Sequence, residues 1–428
     1  MTTAHAPANE KLDSPTALAG LIFPATVGVM TPFLSPSIVG GLVDVGGWSE
    51  QQAGLLVAAE LNVFAWSGLA GILWLNRLPW RALSLGFCLI YLFANFMSCF
   101  TWQDTLLPWR ILSGFAAGSL IALCYGALAR SRVPHRNYAF FSMSQMALAM
   151  LCLIVLPVAI RLDGVTQSTI AQILRTLGVP PGLGMAALFG ALLLLGGLAT
   201  LCAALWTPER PKTAAPGLGF AENPAGQLAK WVLAGVMLLA IFALMVSHQS
   251  LWTYAERIGA SAGIAHQSLG LSLSLGTLAG FVGAMAAATF GGRLKRTWVI
   301  IGVFAIHLLA LAMFSVEATL FSFFIGIMLH KFSWNFMIPY QLGMMAEIDR
   351  GGRAAIFSTF ITSIGISTGA AMAAMAVARF GYSGIIVIAM LFAIGYCGIM
   401  LAVAKRLRTK TGASAPPQPT SAPAVEPH

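Results

Sequence analysis

The chain has 428 residues, of which 58% are hydrophobic and 9% charged, with a mean hydropathy of +0.82 and a formal net charge of +10. Soluble domains carry roughly a quarter charged residues and under half apolar ones, so no soluble surface can be built from this mixture and the solvent must be lipid. The positive excess would suit nucleic acid only if it gathered on one surface, whereas it is spread over a series of short connections.

The first 16 residues, MTTAHAPANEKLDSPT, are polar and mixed in charge, unlike the basic start of a secretory signal, so the first apolar run is expected to stay as an anchor. Apolar runs of about 20 residues, enough to cross a bilayer, follow at approximately 18–42, 51–75, 82–101, 107–130, 138–160, 184–206, 231–257, 267–290, 298–315, 319–345, 354–378 and 384–404. With the N-terminus inside, the even-numbered connections and both tails hold 18 of the 24 lysines and arginines, among them Arg77, Arg81, Arg130, Arg136, Arg293 and Arg353. Basic residues favour the cytoplasmic side. The expectation is a multi-pass protein of a bacterial inner membrane with both termini cytoplasmic, monomeric, and with no nucleic-acid partner. All six cysteines fall inside these runs without pairing or metal-ligand spacing, so they are expected as buried free thiols.

The two halves of the chain repeat. Gln51 and Gly54 of EQQAGLL match Gln267 and Gly270 of HQSLGLS at an offset of 216, and the same offset sets Arg77 of NRLPWR on Arg293 of GRLKRT. An offset of 217 sets Arg136 and Phe140 on Arg353 and Phe357. Each half holds six spans, an even number, so both copies share one orientation about an axis along the membrane normal, with a substrate site between them. The division is a tail (1–16), a first bundle (17–206), a Pro-, Gly- and charge-rich linker (207–230), a second bundle (231–408) and a Pro/Ala/Ser-rich disordered tail (409–428).

In helix count, 6+6 division and loop charge, residues 17–408 resemble the major facilitator superfamily. The family's loop motif between helices 2 and 3 is degraded to GILWLNRLPWR, with Asn76 in the place of the usual acid and Arg77 and Arg81 as the basic part. The helix-4 motif is better kept in RILSGFAAG, with Arg110, Gly114 and Gly118; the helix-5 motif of drug/proton antiporters is missing. The resemblance implies an all-α fold, alternating access by rocking of the halves, a cavity lined by helices 1, 4, 7 and 10, and a role for Arg110 in proton transfer or gating. Plain snorkelling of Arg110 is the alternative.

An ionisable group at mid-membrane costs about 2.5–3.5 kcal/mol on insertion scales and by default faces a cavity or a partner. On helix 7, His248, Trp252 and Glu256 recur every four residues, with Gln249 and Thr253 beside them, which makes one polar stripe. Glu256 reads as cavity-facing near the outer mouth, although Trp252, Tyr254 and Arg257 could equally form an interfacial anchor. Its repeat counterpart is Gly40. On helix 10, His330 and Trp334 share a face with Gln341, and Lys331 with Asn335. Lys331 suits a substrate carboxylate, a proton-linked switch, or a structural pair with a glutamate of another helix. Glu60, the only acid deep in helix 2, suits proton coupling or a pair with Arg110 or Lys331. Tyr125 adds aromatic surface to helix 4. His307 reads as a packed or lipid-edge histidine, and Asp44 as a solvated loop charge. Arg77, Arg81, Arg293, Glu347, Asp349 and Arg353, with Asn76, are expected at cytoplasmic gates.

No nucleotide loop, metal-ligand spacing or nucleophile–base constellation is found, so neither an enzyme nor a cofactor is expected. The reading is a proton-driven transporter of a small organic anion or zwitterion by symport, with export of metabolites or drugs as the alternative.

Overall fold

Ser14 starts the first helix: its hydroxyl accepts from the Ala17 amide at 3.3 Å, and Pro15 occupies the first turn, where a missing N–H is harmless. In the computed structural model, which describes residues 12–75, 77–101, 105–162, 168–179, 182–209, 224–290, 295–315, 319–348 and 353–412, this first span is two helices, α1 (Pro15–Gly28) and α2 (Met30–Asp44). The break at Val29, where φ is −81° and ψ is 4°, follows from Pro32, which has no N–H to give the Gly28 carbonyl. Pro36 likewise leaves the Pro32 carbonyl without its helical donor.

The chain continues through α3 (Glu50–Leu75), α4 (Trp80–Phe100), α5 (Leu106–Leu128), α6 (Pro134–Ile160), α7 (Thr169–Thr176), α8 (Met185–Trp206), α9 (Pro224–Ser261), α10 (His266–Phe290), α11 (Arg296–Ser315), α12 (Leu320–Ile348) and α13 (Arg353–Gly412). Within α13, Gly381 adopts φ 62° and ψ −160°, a region essentially restricted to glycine, and breaks the helix into the last two of the expected twelve spans. Three elements depart from the sequence expectation. The short amphipathic helix α7, capped by Ser168, lies in a connection read as loop. Helix α9 begins at Pro224, inside the segment read as linker, while residues 210–223 lie outside the described residues. Helix α13 runs on to Gly412, into the segment read as a disordered tail.

Helices α1–α8 pack mainly among themselves, as do α9–α13, and corresponding pairs recur: α3 on α5 and α10 on α12, α4 on α8 and α11 on α13. Across the halves, α3 meets α13, α6 meets α10, and α2 meets α9. A two-fold rotation exchanges the first two contacts and maps the third onto itself, which is the symmetry that the repeat requires. Large apolar side chains project from the outside of the bundle, such as Leu194 (74% exposed) and Phe321 (73%), a surface suited to lipid.

Candidate functional site

At the end of the bundle remote from the termini, six spanning helices converge on one charge network. Arg161, the C-cap of α6, places Nη2 2.8 Å from both Asp44 Oδ2 and Glu256 Oε1. Arg257 pairs with Asp44 through Nη1 and with Glu50 through Nε at 3.2 Å. Tyr382 of α13 donates to the Glu50 carboxylate, and Tyr254 donates to the Glu50 backbone carbonyl at 2.7 Å. His266, the first residue of α10, has its nitrogens 3.8 Å from Glu256 and 4.0 Å from Asp44. Glu256 and Arg257 thus point to different partners, as 100° of helix requires, and both ends of that step tie the two halves shut. Glu256 is fully buried, and among the described residues no donor reaches its oxygens with hydrogen-bond geometry, so Arg161 holds it by charge. Asp44, read from sequence as a solvated loop charge, closes α2 and joins this network; the short turn into α3 presses it against Arg161 and Arg257.

Below the network, α2 and α9 lie face to face. Gln249 donates to Ser35 at 3.1 Å, and the Trp252 indole donates at 3.1 Å to the Pro32 carbonyl, which lacks a helical N–H donor and also accepts from the Ser35 hydroxyl at 3.0 Å. This fixes Trp252 with its ring under the Lys331 ammonium, whose nitrogen lies 3.7 Å from that ring centroid, 4.4 Å from the Trp334 ring and 5.6 Å from the Phe33 ring. Lys331 is 2% exposed, and among the described residues no carboxylate pairs with it. Cation–π contact supports such a charge without neutralising it. The cage is built from both halves: Phe33 from α2, Trp252 from α9, Lys331 and Trp334 from α12.

Glu60 and Arg110 are the other buried charges, and they hold each other. Arg110 Nε and Nη2 reach the two Glu60 oxygens at 3.0 and 2.5 Å. Asn95 and Ser113 accept from the guanidinium at 3.0 and 3.2 Å, and Thr31 donates to Glu60 at 2.9 Å. Every arm of the fork is occupied by a partner from the first half, so Arg110 does not snorkel. The pair depends on close packing of α3 and α5: a Cβ at Gly118 would meet the Phe64 carbonyl oxygen at 2.1 Å.

Of the other expected site residues, His248 and His330 are buried beside Trp334, with ring centroids 5.6 and 6.3 Å from it. His307, read as a packed or lipid-edge histidine, is 4% exposed and joins them, its ring centroid 4.0 Å from that of His248. Asn335 donates to the Lys331 backbone carbonyl at 3.0 Å and lies against α10, where a Cβ on Gly280 would meet its amide nitrogen at 2.4 Å. Gln341 is buried with Oε1 unpartnered. Tyr125 packs against Tyr138, tilted, and edge-to-face against Phe141 of α6, and is not one of the rings around Lys331. Arg81 donates to the Ala204 carbonyl of α8 within its own half, and Arg77 is exposed in the turn after α3. Glu347 pairs with Arg296 at the other end of the bundle. Asn76, Arg293, Asp349 and the Arg353 side chain lie outside the described residues. Sequence reasoning passed over Arg161, Glu50 and Tyr382, charged or phenolic groups at helix ends with no motif to mark them.

This arrangement of paired six-helix halves is a fold shared with solved transporter structures. Among solved structures, a bacterial homologue of the human lysosomal transporter Spinster in an inward-facing, unoccupied conformation matches at a TM-score of 0.64 and 14% identity, over 94% of this chain and 96% of that one. The inward-facing, occupied form of such a homologue matches at 0.62 and 15%, over 92% and 94%. No protein-family model and no curated protein sequence matches the chain.

Proposed function

We propose that the protein is an alternating-access carrier of a small organic anion or zwitterion, taken up together with protons. The observation that carries this reading is Lys331: a buried ammonium at the contact between the halves, framed by three aromatic rings and without a carboxylate partner among the described residues. A substrate carboxylate supplies the missing countercharge, and Trp252, Trp334 and Phe33 supply apolar surface for its body. A bulky lipophilic cation would meet a like charge there.

Glu256 is the coupling group in this reading. Arg161 reaches it where the far end of the bundle, which the loop charges place outside the membrane, is closed. Protonation cancels the attraction that joins α6 to α9, so the charge state of Glu256 and the closure of that end depend on each other. Glu60 is left to a structural role with Arg110.

The test compares metabolites in the medium of cells expressing the wild type or Lys331→Ala. A carboxylate depleted by the wild type alone supports the reading. Enrichment of that compound in the medium would make the protein an exporter, and transport of quaternary cations without carboxylates would overturn the substrate class.

A further inference from the structure

Three histidines from three helices of the second half meet in a buried cluster: His248 of α9, His307 of α11 and His330 of α12. One ring nitrogen of each lies within 4.8 Å of the other two. They stand 59 and 23 residues apart in sequence, which is no ligand motif, so only the packing of α9, α11 and α12 brings them together.

Neutral imidazoles buried in protein normally give one N–H and accept one hydrogen bond. These do not. Among the described residues, no partner meets Nδ1 of His248, Nδ1 of His307 or either nitrogen of His330 with hydrogen-bond geometry, nor Trp334 Nε1 beside them. The tautomer of His307 follows from its neighbour. The Ser247 hydroxyl spends its single proton on the Ala389 carbonyl at 2.7 Å, so at 3.0 Å from His307 Nε2 it can only accept. His307 therefore carries its proton on Nε2 and turns a bare Nδ1 lone pair into an apolar interior. A metal-ligating histidine donates its other ring N–H to an outer-shell acceptor, usually a carboxylate, a carbonyl or water, and the Ser247 oxygen takes that place here.

We propose that His248, His307 and His330 bind a transition-metal ion of the zinc or cobalt class, with Ser247 positioning His307. Imidazole is a favoured ligand of such ions, and three of them leave a fourth position for water or an anion. Tetrahedral ligation at about 2.0–2.1 Å sets ligand nitrogens about 3.4 Å apart, so the rings need to draw in by roughly an ångström. All three helices belong to one half, so rocking of the halves leaves the site intact, and the ion stays as a clamp on the helix that carries Lys331. This inference stands apart from the substrate reading, since neither needs the other.

The experiment uses the full chain, purified in detergent without a histidine tag and stripped with EDTA. Titration with Co2+ is expected to reach one ion per chain with the visible d–d bands of tetrahedral cobalt, and Zn2+ to displace it and raise Tm. His248→Gln and His307→Gln are expected to lose the bands and the Zn2+-dependent rise. Ser247→Ala, which keeps all three ligands, is expected to bind about 10- to 100-fold more weakly. Substoichiometric binding to the wild type would overturn the proposal. So would undiminished binding in both glutamine variants, which would place the ion on other histidines of the chain.

Discussion

Gly40 and Glu256 are counterparts in the repeat and neighbours in space: a Cβ on Gly40 would lie 2.7 Å from Glu256 Oε1 and 3.0 Å from Arg161 Nη2. Counterpart elements that lie beside a two-fold axis face each other across it, as α2 and α9 do. The absence of a side chain at one copy is what makes room for the carboxylate at the other. Gly40→Ala is therefore expected to part Arg161 from Glu256 and weaken closure of this end by about 1–3 kcal/mol, the usual penalty of one methyl group too many in a packed site. Spin labels at Val45 and Ala262 should report longer distances across that end in the variant. Unchanged distances would mean that the ion pair does not hold it shut.

Removing Arg161 strands a buried negative charge. Arg161→Ala is expected to destabilise the protein by about 3–5 kcal/mol, the range for breaking one side of a buried pair, and Arg161→Ala/Glu256→Gln to recover most of that loss. Thermal unfolding in detergent measures both. Glu256→Gln alone should fold and still exchange substrate across proteoliposomes, while losing accumulation against a gradient when a proton gradient is imposed. Full proton-driven accumulation in that variant would exclude Glu256 as the coupling group.

Arg110 is expected to tolerate no replacement. Its planar fork meets Glu60, Asn95 and Ser113 at once, and a lysine offers neither the geometry nor the donors. Arg110→Ala should cost about 3–5 kcal/mol in stability by leaving Glu60 buried and unpaired, and Arg110→Lys should recover only part of it. Glu60→Gln keeps an acceptor for Arg110, so it is expected to retain proton-driven accumulation with a lower Tm. Loss of coupling with an unchanged Tm would instead give Glu60 the proton-carrying role.

Much of this was legible in the sequence because membrane helices advertise themselves by length and apolarity, and because a duplicated chain shows its own symmetry. Glu256 and Lys331, each opposite an uncharged position in the repeat, both lie at contacts between the halves, whereas Glu60 pairs within its own half. The partners were not legible. Arg161, Asp44 and Glu50 end or begin helices, where a charge needs no explanation, and only the convergence of α2, α3, α6 and α9 turns them into one network. The histidine cluster was hidden for the same reason, since His307 sits alone on α11 and acquires meaning only from its two neighbours. Gly114 and Gly118 were visible as a motif, but the reason for them, the Glu60 and Phe64 carbonyls of α3, was not.

The Lys331 cage makes the most direct prediction about substrate. A charge-assisted contact to an ionised group is worth about 1.5–3 kcal/mol, so Lys331→Ala is expected to raise the Kd of the transported anion roughly 10- to 100-fold. Trp252→Phe keeps a ring near the ammonium but gives up the indole bond to the Pro32 carbonyl. It should weaken binding less than Lys331→Ala, and it should lower Tm because the bond from α9 to α2 is lost and the Pro32 carbonyl keeps only the Ser35 hydroxyl as donor. Binding by isothermal titration calorimetry and unfolding by thermal melt separate the two effects. Equal affinity in wild type and Lys331→Ala would show that the anion is held elsewhere and that the aromatic rings serve the lysine alone.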